Sequence, residues 1–291
     1  MLLLYGAGLA FASYGGGYLA LRIEMTHTRT QIALSLVSGL MLGIAFFHLF
    51  PHAVLTLGVE HGLNTTMIWV AAGLVVMLLL LRLLHFHHPD YYAEGDDAHH
   101  HDHAHGEHCT PVAAPKVSWQ SVLIGLSFHS LIDGVALGSA FLGSSRGESL
   151  LAFGVFVAIA LHKPLDSMSI AALMRAADLS PSLQRNVNMG FALLCPMAAL
   201  LFYAFANGVS SGQSDVVGAA LAFSAGTFIC IALSDLLPEV QFHSHDRVKL
   251  TLVFLAGLAI SYAIATGSPE HSHHISEAHE HHQPHSHESG H

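Results

Sequence analysis

Charge is scarce in this chain. Of 291 residues only 10% are Asp, Glu, Lys or Arg, against 52% hydrophobic, and the mean hydropathy is +0.51. A soluble globular surface needs far more charge than that, and the apolar runs are long enough to cross a bilayer repeatedly. The chain therefore reads as a polytopic membrane protein. Cysteine is scarce as well: Cys109, Cys195 and Cys230 are scattered with no C-x-x-C spacing, so neither a disulfide framework nor a thiolate zinc site is indicated. Basic residues number ten against twenty acidic ones, for a formal charge of −10, which argues against nucleic acid as a partner. No H-E-x-x-H occurs, and no glutamate stands beside the polar motifs described below, so an intramembrane metalloprotease is set aside.

What the chain has in place of charge is histidine, 26 in all. Most lie in two segments of biased composition. HFHHPDYYAEGDDAHHHDHAHGEHCTPVAAP occupies 85–115, from the end of the third span into a connection over 87–117, and SPEHSHHISEAHEHHQPHSHESGH forms a tail over 268–291. Both mix histidine with acid, serine and proline and lack apolar periodicity, which points to mobile segments that capture metal weakly. A purification tag does not explain interspersed histidines in two separate places.

Eight apolar spans follow from the hydropathy pattern: roughly 1–21, 32–58, 66–86, 118–142, 149–175, 186–207, 214–239 and 248–267, each able to cross about 30 Å at about 1.5 Å per residue. The fold class is all-α, an eight-helix membrane bundle, with spans one to three over 1–86 and spans four to eight over 118–267. The first span lacks a basic leader and is followed by Arg22, so it reads as a span and not as a signal peptide. Arg22, Arg29, Arg82, Lys116, Arg175, Arg185, Arg247 and Lys249 flank odd-numbered connections, whereas the other side holds only Arg146. By the positive-inside rule the odd connections, including the histidine-rich loop, are cytoplasmic and both termini lie outside the cytoplasm. The expected location is the plasma (inner) membrane.

Within this apolar background the pattern His-x-x-x-Asp occurs twice, as His129 with Asp133 in GLSFHSLIDGVALG and as His162 with Asp166 in FVAIALHKPLDSMSI. Residues four apart stack on one helix face, so each copy sets an imidazole beside a carboxylate. Ionisable groups at that depth are costly and generally mark function. His129 comes about eleven residues after the inner start of span four and His162 about thirteen after the outer start of span five, so both lie near mid-membrane. In antiparallel helices Asp133 then lies level with His162, and His129 with Asp166. Two imidazoles and two carboxylates suit Zn(II) and accommodate Fe(II), Mn(II) or Cd(II), with the carboxylates neutralising the divalent charge. The alternative is a pair of hydrogen-bonded helix clamps without metal. Pro164 and Gly134 favour the metal reading, because interrupted helices free backbone groups where membrane sites are built.

Flanking polar pairs offer approaches to that centre. His48 and His52, in GIAFFHLFPHA, lie four apart in the outer half of span two, and Asp235 and Glu239, in SDLLPEV, lie near the inner end of span seven, with His243 and His245 beyond them. They read as an entry relay and an exit relay, or as interfacial histidines and a helix-end turn. Small residues recur on helix faces: Gly6, Gly15, Gly16 and Gly17, Gly134 and Gly138, Gly218 and Gly226. Such residues permit close backbone approach between membrane helices.

The sequences HSLIDGVALG, ALHKPLDSMSI and SAGTFICIALSDLLPEV resemble the ZIP (Zrt- and Irt-like protein) metal transporters, and the resemblance extends over all eight spans and the histidine-rich loop. The H-K-x-P form of span five is most similar to a subgroup outside the better-studied bacterial type. The resemblance implies import of a divalent metal, zinc foremost, into the cytoplasm by alternating access, with no organic cofactor. It also implies that spans one, four, five and six move against a dimerising scaffold of spans two, three, seven and eight, in a homodimer. His129, Asp133 and Asp166 match the primary ligands of the family, and His162 stands where members carry His or Gln. Binuclear members have Asn, Asp and Glu where this chain has Ser130, Lys163 and Cys195 before Pro196. That departure predicts a mononuclear site in which Lys163 stands in for a second metal.

Two other readings share the chemistry. A cation-diffusion-type exporter also builds a four-ligand site from paired x-x-x-Asp motifs, yet has six spans, cytoplasmic termini and a cytoplasmic C-terminal domain. A membrane metal sensor or buffer would bind without moving ions, and flux measurements separate it from a transporter.

Overall fold

The computed structural model describes residues 1–20, 27–83, 119–143, 150–209, 211–242 and 247–266, with the side chains of 20, 27, 59–61, 235–242 and 247 outside the description. Arg22, Cys109, Lys116, Arg146, His243, His245, the histidine-rich loop and the tail lie outside the described residues. The backbones of Asp235 and Glu239 are helical, and their side chains are not described.

All regular structure among the described residues is helical, in the order α1 (Leu2–Ala20), α2 (His27–Ile44), a π-helical turn (Ala45–Leu49), α3 (Phe50–Leu57), α4 (Val59–Leu83), α5 (Trp119–Gly143), α6 (Leu150–Ala176), α7 (Pro181–Gly208), α8 (Gln213–Phe242) and α9 (Arg247–Thr266). In hydrocarbon only internally hydrogen-bonded helices or closed barrels can span, and the apolar runs take the helical solution. Seven helices are long and apolar enough to cross a membrane, Thr28–Leu57 counting as one. The chain is a polytopic helical membrane protein. Helix α1 is not among those seven: Gly15, Gly16, Gly17 and three tyrosines dilute its hydropathy.

The helices associate in two groups. One joins α1 to α6 and α7, and α5 to α7 and α6; the other joins α2 to α9 and α8, α4 to α8 and α3, and α3 to α8. The groups meet chiefly where α5 packs on α8 and α2 on α6. Of the most apolar window in Thr28–Leu57 and in α8, 61% is buried, against 17% in α4 and 22% in α9. The first two are thus central and the last two peripheral, with Ile68, Leu78 and Leu79 of α4 and Val248, Leu252 and Leu255 of α9 exposed.

Lipid supplies no hydrophobic drive between helices, so close packing has to hold them. Glycine permits it where α4 meets α8: a Cβ on Gly226 would strike the Val70 carbonyl, and one on Gly73 would strike the Phe223 carbonyl. Gly134 and Gly138 bring α5 onto α7 in the same way, against Cys195 and Ala199 backbone atoms, and Gly218 receives Leu57. Gly6, Gly16 and Gly17 face α6 or α7, whereas Gly15 meets nothing within 4 Å.

The four-residue spacing of His48 and His52 does not run through a regular α-helix, because a π turn intervenes. Pro51 carries no N–H and its ring crowds the carbonyl four residues back, and the Phe50 N–H bonds instead to the Ala45 carbonyl, five residues back. His48 sits inside this wider turn, and His52 belongs to α3 beyond it. The two rings are therefore not related by a regular α-helical turn.

Candidate metal centre

Helices α5 and α6 each contribute one His and one Asp. The four ligand atoms of His129, Asp133, His162 and Asp166 lie within 4.8 Å of one another. His162 Nε2 is 3.2 Å from Asp133 Oδ2, and His129 Nε2 is 3.4 Å from the same oxygen and 3.7 Å from Asp166 Oδ2. The cross-helix levels expected from the two motifs are those observed. Around a tetrahedral zinc with bonds of about 2.0–2.1 Å, neighbouring ligand atoms stand about 3.3 Å apart. The imidazole–carboxylate distances fall close to that edge length.

Hydrogen bonding fixes which nitrogen of His162 faces the cluster. Its Nδ1 lies 2.8 Å from the Ala158 carbonyl, a pure acceptor, so Nδ1 carries the proton and donates. In the neutral ring Nε2 then offers a lone pair toward Asp133 Oδ2, which is also an acceptor. Two acceptors 3.2 Å apart require a proton or a cation between them. Holding the remote nitrogen on a carbonyl is the usual way a ligating histidine is oriented.

The same cluster contains buried polar atoms without hydrogen bonds. His129 Nδ1 and Asp133 Oδ1 have no partner among the described residues, although His129 is 3% exposed and Asp133 0%. Each belongs to a group whose other polar atom, His129 Nε2 or Asp133 Oδ2, is the one that faces the cluster. Asp166 is the most accessible of the four, at 15% side-chain exposure.

Lys163 points into this cluster. Its ammonium is 2.6 Å from Asp133 Oδ2 and 3.3 Å from Asp166 Oδ2, and donates to Ser130 Oγ at 2.8 Å. Three acceptors match the three N–H bonds of an ammonium. The residue is 1% exposed, and the Phe191 ring centroid lies 5.6 Å from Nζ. Ser130 is thus a hydrogen-bond partner of Lys163. Cys195 is buried in no disulfide, and its carbonyl abuts Gly134, the neighbour of Asp133.

Phe191 is a residue that the motifs did not single out. Its signal was the four-residue spacing to Cys195, which puts both on one face of α7. The flanking histidines are not part of the four-ligand cluster. His48 is 2% exposed, with Nε2 3.1 Å from the Ser261 carbonyl of α9, and the half-buried His52 lends its backbone carbonyl to Thr56 Oγ1 at 2.6 Å.

Comparison with known proteins agrees with this chemistry. The family described as ZIP Zinc transporter matches residues 87–265, a stretch that contains α5, α6, α7 and α8 and all four cluster residues. The chain is 36% identical over 127 residues to zinc transporter ZIP9 of Micropogonias undulatus, covering 43% of this chain and 40% of that protein. It is 29% identical over 154 residues to zinc transporter foi of Drosophila melanogaster, covering 52% and 20%. It is 27% identical over 149 residues to zinc transporter ZIP1 of Mus musculus, covering 51% and 44%. The chain spans about two fifths of the length of the first of these relatives. Family membership places it among transporters and not among enzymes. A helical bundle of membrane-spanning length and composition, a largely buried His2Asp2 cluster within it and a family match over residues 87–265 lead to one conclusion: the chain belongs to the ZIP zinc transporter family.

Proposed function

We propose that the protein carries zinc into the cytoplasm, with His129, Asp133, His162 and Asp166 as the ligands that hold the ion midway. The observation that carries the reading is the convergence of four acceptor atoms within 4.8 Å, two of them opposed at 3.2 Å, inside an apolar bundle. Zn(II) fits a set of two imidazole nitrogens and two carboxylate oxygens, and Fe(II), Mn(II) and Cd(II) remain accessible to the same donors. Lys163 serves as the fixed counter-cation of the empty site and leaves room for one metal. Its ammonium offsets carboxylate charge that would otherwise be costly at this depth.

Transport follows from moving the ligand-bearing helices against the rest. Helices α1, α5, α6 and α7 form the moving unit and α2, α3, α4, α8 and α9 the scaffold, supported by the two packing groups. Helix α1 is the eighth span, with its hydropathy lowered by glycines and tyrosines and with Gly6, Gly16 and Gly17 set against α6 and α7. His48 and His52 serve the extracytoplasmic approach, Asp235, Glu239, His243 and His245 the cytoplasmic exit, and scaffold surfaces pair two copies in the plasma membrane.

Zinc uptake into proteoliposomes of the full chain tests this reading. Saturable accumulation well above empty liposomes is expected, and zinc binding without accumulation would mark a sensor or buffer instead. Topology is tested separately with a cysteine at Ser289 in intact cells lacking other accessible thiols. An impermeant maleimide should label it without permeabilisation, and labelling only after permeabilisation would reverse the orientation.

A further inference from the structure

We propose that Ser13 and Gly16 of α1 are positioning residues for the metal centre, acting on it through the proline kink of α6. The inference rests on the reading of the His129 cluster as the transport site. Pro164 has no N–H, so the backbone bond to the Ala160 carbonyl is missing in the middle of α6. The break separates His162 and Lys163, which precede it, from Asp166, which follows it. The angle at Pro164 therefore sets the distance between two ligands and their counter-cation.

Helix α1 braces that kink at two points one turn apart. Ser13 Oγ lies 2.8 Å from Ser167 Oγ, both nearly inaccessible at 2% and 1%. Ser167 Oγ in turn donates to the Lys163 carbonyl at 3.0 Å. Its single proton is then committed, so Ser13 is the donor of the pair. A chain of two hydrogen bonds runs from α1 to the backbone of the residue that holds Asp133 and Asp166 together. At the second point, the Gly16 backbone is seated on Pro164, where a Cβ would stand 2.7 Å from Pro164 Cβ and closer still to its Cα.

The same helix also touches the second membrane-embedded proline. A Cβ on Gly6 would lie 3.3 Å from Pro196 Cβ, the residue after Cys195 on α7. Asn188 of α7 donates to the Tyr14 carbonyl at 3.1 Å and fills the space beside Gly17. Helix α1 thus lies along both proline-containing helices and contributes no residue to the four-ligand cluster. Gly15, with nothing within 4 Å, provides a control inside the same glycine run.

The experiment measures zinc affinity by calorimetry and uptake KM and Vmax in proteoliposomes, on the full chain, at matched thermal melting temperature. Ser13→Ala should weaken zinc binding about fivefold, the size expected for one buried hydrogen bond, and Gly16→Ala by more than about tenfold, with Gly15→Ala within about twofold of wild type. Ser167→Ala should match Ser13→Ala, and the double variant should be no worse than either single one, since both act through one path. Zinc affinity unchanged in Ser13→Ala, while Asp133→Ala loses binding, would overturn the inference and leave the site reading standing. A Ser13→Ala effect that persists undiminished on the Ser167→Ala background would also overturn it. Undiminished binding in Asp133→Ala would instead remove the site reading, and this inference with it.

Discussion

Asp133→Ala is expected to reduce zinc uptake by at least about a hundredfold at matched expression. One oxygen, Asp133 Oδ2, is approached by His129 at 3.4 Å, His162 at 3.2 Å and Lys163 at 2.6 Å, so its removal opens the cluster at its centre. Loss of a partner that merely orients a ligand costs about 10–100-fold in metal affinity, and loss of a ligand should exceed that. The substitution also leaves a buried ammonium without its nearest carboxylate, which costs about 3–5 kcal/mol in comparable buried pairs. Asp133→Asn separates the two effects, because it preserves volume and one carbonyl oxygen while removing the charge. It should fold better than Asp133→Ala and transport almost as poorly. Wild-type uptake in either variant would remove Asp133 from the ligand set.

Lys163→Ala is expected to bind zinc about tenfold more tightly and to turn over about tenfold more slowly. Without the ammonium, Asp133 and Asp166 face two imidazoles with no compensating cation, so the empty site becomes costly to bury and zinc relieves more of that cost. Tighter holding slows release, and the slower step lowers Vmax while KM falls. Lys163→Asp goes further by replacing the cation with a third carboxylate, and should admit a second zinc beside Ser130. Calorimetric stoichiometry and initial uptake rates decide the matter. A Lys163→Ala protein with wild-type KM and Vmax would show that the ammonium has no part in the cycle.

The sequence carried the cluster because three simple rules happen to meet there. A spacing of four stacks His on Asp, the apolar background fixes the depth, and antiparallel neighbours exchange partners across the interface. Each rule is local or one-dimensional, so the pairing of Asp133 with His162 was accessible from the residues alone. The helices were equally accessible, since long apolar runs leave the backbone no other solution in lipid than a helix or a barrel.

What escaped the sequence depends on rotation and packing. The π turn before Pro51 was not read from the residues, and His48 within it is flanked by Ser261 of α9 and Gly154 of α6. The contact of Ser13 with Ser167 joins residues 154 positions apart, and neither serine is unusual in its own segment. Phe191 beneath Lys163 looked like any aromatic on an apolar helix. The glycine run of α1 was read as packing surface, and only its register on Pro164 distinguishes Gly16 from Gly15.

The central claim is that one zinc ion is held by the paired motifs of α5 and α6. Anomalous scattering at the zinc edge from crystals of the full-length protein grown with zinc tests it most directly. The expected result is a single strong peak within bonding distance of Nε2 of His129 and His162 and of carboxylate oxygens of Asp133 and Asp166, about 2.0–2.2 Å from each. A zinc-loaded, transport-active protein with no peak there, or with two equally strong peaks around Lys163, would contradict it.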